Sequence, residues 1–240
     1  MTHALHLTGA HGREREAART LRMRFPDRRV GLVLEIRAAA AEGDTAGIEA
    51  LLNQGQALAP ATYWSQAASL VTAGEELMAH GQPEVGRRYL ERAVQWCRSQ
   101  LEIVPGYESH RYWLGSALYD LGRWNEASVL FQELRSEFPA RLDYWGLAAL
   151  ATARWQGRTS DQSLGPARPY QKGRETFFRA RLAAVNGDPE RALALISEAV
   201  AAGVDGLPWM HAAANTDLEL LGARRASLPQ SLKPELSARK

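Results

Sequence analysis

"YWLGSALYDLGRWNEASVLFQELRSEFP", residues 112–139, decides how the rest of the chain is read. Apolar and small residues recur every three or four places on both sides of a Gly-Arg break, and Pro139 closes the second run. That spacing predicts two helices meeting at a turn, the glycine taking the left-handed conformation that ends the first. Similar breaks recur in "AEGDTAGIEALL" (41–52), "MAHGQPEVGRRYL" (78–90) and "AVNGDPERALALI" (184–196). Pro83 and Pro189 stand two residues after their glycines, a favoured place in a first helical turn, while Asp44 and Asp188 suit N-caps.

These breaks are one object repeated. Gly43, Gly81 and Gly122 are 38 and 41 residues apart; Gly157 follows after 35 and Gly187 after 30. A loose period in the thirties, built from helical hairpins, predicts an α-solenoid, because each hairpin leaves an apolar face that the next must bury.

The quoted stretch resembles the tetratricopeptide repeat family, whose pattern runs Trp-x2-Leu-Gly-x2-Tyr, then Ala-x3-Phe, then Pro. Leu114-Gly115, with Leu118 in the Tyr place, are followed in register by Ala127, Phe131 and Pro139. Arg111 occupies the Trp place, with Tyr112 and Trp113 beside it. The register recurs in Gly74, Leu77, Gly81, Gly86, Leu90 and Ala93, and again in Ala180, Ala183, Gly187, Ala192, Ile196 and Ala199. Small residues there let two helix backbones approach closely. The unit around Gly43 departs from the pattern, since Glu35 and Ile36 stand where apolar and small residues are expected.

The resemblance implies an all-α fold: a right-handed superhelical α-solenoid of stacked antiparallel hairpins, with about a dozen helices. Helix pairs are expected near 3–24, 27–57, 61–103, 106–137 and 170–202, with 140–156 standing alone. "GRTSDQSLGPARP" (157–169) reads as an irregular loop. A single repeat domain is expected over 1–225, ending in a capping helix at about 207–221, with a disordered tail over 226–240. The short first hairpin suggests the C-terminal part of a larger protein.

Composition narrows the function. Hydrophobic residues form 45% of the chain, enough for a core, and a formal charge of +2 creates no field that favours nucleic acid or an acidic membrane. The Arg-rich run "RTLRMRFPDRR" (19–29) reads as a solvated helix face plus loop. Cys97 is the one cysteine, so no internal disulfide or multi-thiolate metal site forms, and a packed thiol in a reducing compartment is expected. No run of 18 apolar residues occurs, and a cytoplasmic protein without membrane contact is the expectation.

No nucleotide-binding glycine loop, G-x-S-x-G elbow or H-E-x-x-H motif is present. His3, His6 and His11 cluster near the start, but with no carboxylate at matching spacing a solvated terminus without metal is expected. His80, before the Gly81 break, suits capping of helix carbonyls; His110 and His211 suit packing. Glu75-Glu76, Glu133 and Glu137 read as solvated faces. No catalytic residue, metal or cofactor is therefore expected. Trp64, Trp113 and Trp145 each follow a tyrosine in the first turn of a predicted helix, which suits packing between repeats.

In the resemblance, the first helix of each pair lines a groove that holds a peptide or partner helix. Projected onto this chain, the groove falls on Arg37, Glu75, Tyr112, Ser116, Tyr119, Asp120, Arg154, Trp155, Phe177 and Arg181. Aromatic and arginine side chains of this kind dominate protein interfaces. The expected function is thus a non-enzymatic scaffold for a protein or peptide partner, with self-association through open solenoid ends as a further expectation. Two other readings stand beside it. One is the sensor region of a transcription factor or kinase; the other is a small-molecule binder with loop 157–169 as a lid.

Overall fold

The computed structural model describes residues 2–58, 64–158, 164, 172–202 and 216–228. Among these residues the chain is all-helical, without a strand, as the sequence predicts. None of the helices is long and apolar enough to cross a membrane. Two compact units divide between Leu121 and Gly122, inside the stretch quoted first.

The first unit holds α1 (Thr2–Leu7), α2 (His11–Arg24), α3 (Arg29–Ala41), α4 (Thr45–Gln56), α5 (Gln66–Ala79), α6 (Pro83–Ile103) and α7 (Glu108–Asp120). Its turns follow the sequence logic. Gly43 and Gly81 take φ of 75° and 84°, conformations that an L side chain resists. Asp44 caps α4 by accepting from the Gly47 amide at 2.8 Å, and Pro83 opens α6. Helices α5 and α6 pack backbone against backbone where Gly74 meets Gly86: a Cβ on Gly86 would lie 2.5 Å from the Gly74 carbonyl oxygen. Around them Leu32, Ile36, Ile48, Leu52, Leu77 and Leu90 are buried almost completely. Each such side chain contributes about 1.5–3 kcal/mol by leaving water.

The misfit at Glu35 has a physical reason. Its carboxylate is buried and accepts from Arg19 Nε at 3.1 Å and Arg22 Nε at 2.8 Å. Arg29 is buried as well, donating to Gln66 and to the Leu58 carbonyl. The expectation of a solvated arginine face is corrected here: much of the run binds α2 and α3 to their neighbours. Glu76, too, is buried rather than solvated.

The second unit holds α8 (Trp124–Glu137), α9 (Leu142–Gln156), α10 (Lys172–Val185), α11 (Pro189–Ala201) and a 3₁₀ segment, Leu218–Ser227. Phe177, Ala180, Ile196, Leu218 and Leu221 share one core. Asp188 caps α11 by accepting from the Arg191 amide at 3.1 Å. Most of the expected loop at 157–169, the start of the expected terminal helix and most of the expected tail lie outside the described residues. What is described near the end departs from that expectation. Leu218–Ser227 is 3₁₀ and breaks at Gly222, and Leu228 is buried rather than part of a loose tail.

The tyrosine–tryptophan pairs are also less regular than expected. Trp64 precedes α5, whose N-cap is Ser65, whereas Trp113 sits in the second turn of α7 and is buried. Trp145, near the start of α9, donates to the Pro139 carbonyl at 3.0 Å with the Arg135 guanidinium over its ring.

Candidate functional site

The expected groove residues separate sharply by burial. In the first unit Tyr112, Ser116 and Asp120 stand four residues apart along α7 and remain partly exposed, as does Glu75 on α5. Residues so spaced share one side of a helix. Tyr119 is buried, and Arg37 is buried within an ion pair. In the second unit Trp155 is 47% exposed, while Phe177 is fully buried. Arg154 and Arg181 converge on Asp217, itself fully buried: Arg154 Nη2 donates to Oδ1 at 3.0 Å and Arg181 Nε to Oδ2 at 2.9 Å. The Arg154 guanidinium also lies over the Trp124 ring at 5.2 Å. The assignment of Arg37, Tyr119, Phe177 and Arg181 to a partner surface is therefore corrected, because their side chains are used up by the interior.

A different constellation, which the sequence reading missed, sits in the first unit. Gly9, at φ 69°, turns the chain between α1 and α2 and brings His6 back over the start of α2. His6 is buried between two carboxylates: Nδ1 lies 2.8 Å from Glu14 Oε2, and Nε2 lies 3.2 Å from Glu76 Oε2. On Glu14 the other oxygen accepts from Arg37 Nε at 2.6 Å. One turn earlier on α2, His11 places Nδ1 3.5 Å from Glu14 Oε2. His80 Nδ1 donates to the Glu76 carbonyl at 2.8 Å, the helix-end capping expected of it. Its ring stands edge-on to His11 at 5.1 Å and to His6 at 6.1 Å between centroids.

Burial and charge oppose one another throughout this cluster. Burial alone would lower the His6 pKa, but Glu76 and Glu14 outweigh it and raise it to about 9. Burial would raise Glu14, yet contacts with His11, His6 and Arg37 push it down to about 2. Glu76 is likewise held below the usual carboxylate range against its burial, by His6, His80 and Arg37. His80 falls below the usual histidine value, chiefly through burial. Two carboxylates, a guanidinium and an imidazolium then balance in charge.

Two expectations are corrected by this geometry. His6 is not part of a solvated terminus, and a carboxylate does stand at matching spacing: Glu14, three residues after His11 on one helix. Among the described residues His6, His11 and Glu14 offer three ligand-type atoms, all within 4.8 Å of one another. The His11/Glu14 pair was readable as an i, i+3 neighbour pair; His6 was not, because the turn at Gly9 sets its direction.

His110 packs edge-on to Trp96 and Tyr107, as expected. Cys97 is buried, and burial pushes its thiol up to about 12, so it has the character of a packed side chain. Comparison with protein-family models, with curated proteins and with solved structures finds no match to this chain.

Proposed function

We propose that the chain is a non-enzymatic, tetratricopeptide-like helical scaffold that binds a protein or peptide partner. The observation that supports this reading is the row of Tyr112, Ser116 and Asp120, partly exposed at successive turns of α7 while the residues between them are buried. A fixed helix face with an aromatic ring, a hydroxyl and a carboxylate offers an apolar anchor with hydrogen-bonding flanks, as interface cores and rims do. Trp155 gives the second unit a comparable exposed aromatic. The single buried thiol at Cys97 suits a reducing, cytoplasmic setting.

Affinity capture from the native extract tests the proposal, comparing the parent with a Tyr112→Ala, Asp120→Ala double variant and with Trp155→Ala. At least one protein held by the parent should be lost from one of the variants, with the fold retained by circular dichroism. An identical captured set from all three overturns it.

A further inference from the structure

We propose that His6, His11 and Glu14 bind a divalent transition-metal ion of the zinc class, with Glu76 and Arg37 orienting the ligands. Two imidazoles and one carboxylate are donors that such ions prefer, and three protein ligands leave a position for water. Ligand atoms on a tetrahedral zinc ion stand about 3.3 Å apart. His11 Nδ1 and Glu14 Oε2 are already 3.5 Å apart, and His6 Nδ1 approaches the same oxygen at 2.8 Å. An ion entering here opens the shorter contact and draws the three ligand atoms, all within 4.8 Å of one another, to that spacing.

The surrounding shell is what a metal site uses. A ligating histidine usually gives its second ring N–H to a carboxylate, which fixes the ring and its tautomer. His6 Nε2 faces Glu76 Oε2 at 3.2 Å, leaving Nδ1 on the side of Glu14 and His11. Glu14 is steadied in the same way, with Oε1 on Arg37 and Oε2 turned to the two histidines. On binding, His6 releases its Nδ1 proton to solvent, and the freed lone pair forms the metal–nitrogen bond. The ion then clips α1, only six residues long, onto α2 and through Glu76 onto α5. Such an ion adds its binding free energy to the stability of the folded unit.

Without an ion the same groups still satisfy one another, and His11 separates the two cases. Its contact with Glu14, at 3.5 Å, is longer than that of His6, and its side chain is 17% exposed, so without an ion Glu14 keeps His6 and Arg37 when His11 is removed. A metal site loses one of three ligands.

The test uses the 240-residue chain with His3→Ala, which removes a histidine close enough to the amino terminus to bind metal with it. Cobalt(II) alone is titrated in and followed by its visible absorption, then displaced with zinc(II). Saturable one-to-one binding is expected, weakened by at least about 100-fold in His11→Ala and unchanged in His110→Ala. The metal-free His11→Ala protein should keep the helicity of its parent, because His6 and Arg37 still hold Glu14. Absence of one-to-one binding, or equal affinity in His11→Ala, overturns the proposal. Should that variant fail to fold, X-ray absorption at the zinc edge of the parent decides: two imidazoles and oxygen support the site, and fewer than two imidazoles overturn it.

Discussion

Replacing Gly86 by alanine tests the closest approach in the first unit. A Cβ at that position lies 2.5 Å from the Gly74 carbonyl oxygen, 2.6 Å from Met78 Cγ and 3.0 Å from the Met78 backbone nitrogen. The methionine side chain can swing aside. The other two atoms belong to the backbone of α5, so relief requires the helices to separate by several tenths of an ångström along a packed seam. Overpacking of this kind costs about 1–3 kcal/mol, and backbone-to-backbone contact belongs at the upper end. Alanine also gains about 1 kcal/mol over glycine in a helix interior. The net expectation is a loss of about 2 kcal/mol.

Gly106→Ala serves as the control, since a Cβ there meets nothing within 4 Å. Urea denaturation followed by circular dichroism should give a lower midpoint for Gly86→Ala and little change, within about 0.5 kcal/mol, for Gly106→Ala. Gly74→Ala should fall between them, because its nearest obstacle is the Leu90 side chain, at 2.7 Å, rather than backbone. If Gly86→Ala proves as stable as its parent, the close crossing of α5 and α6 is wrong. The repeat reading of Gly74 and Gly86 would lose its physical basis with it.

Three further outcomes follow from the same structure. Gly187 has φ 78° and open space around it, so Gly187→Ala isolates backbone strain and should cost about 1–2 kcal/mol in thermal or urea unfolding. Gly187→Asn should cost less, since asparagine tolerates that conformation better, and equal losses would contradict the reasoning. Asp217→Ala leaves Arg154 and Arg181 facing each other without their shared carboxylate and should cost about 3 kcal/mol; a change under about 1 kcal/mol would show that the pairing contributes little. The Cys97 thiol, pushed up to about 12 by burial, should resist alkylation by iodoacetamide at about pH 8 until the protein is unfolded, and rapid labelling of the native chain would contradict its burial.

Helix positions and turns were legible because both are local choices. A glycine break, a capping aspartate and a proline in a first turn act within a few residues, and the Asp44 and Asp188 caps formed as their neighbours dictate. Which helix face becomes covered is a different kind of information. Arg154 and Asp217 are 63 residues apart, and Arg37 and Glu14 are 23 apart. In a helical projection an arginine with a distant buried partner looks the same as one in water, so the projection places Arg37 and Arg181 on a surface they do not reach. Yet the sequence did carry one usable signal, in its departure from the expected pattern. Glu35 broke the apolar pattern and proved to be a buried acceptor for Arg19 and Arg22. A charge at a place the fold must bury costs several kcal/mol unless something answers it, so its persistence there implies a partner. Applied to the first unit, the same argument makes the buried Glu14 and Glu76 demand cations, and His6 with Arg37 supply them.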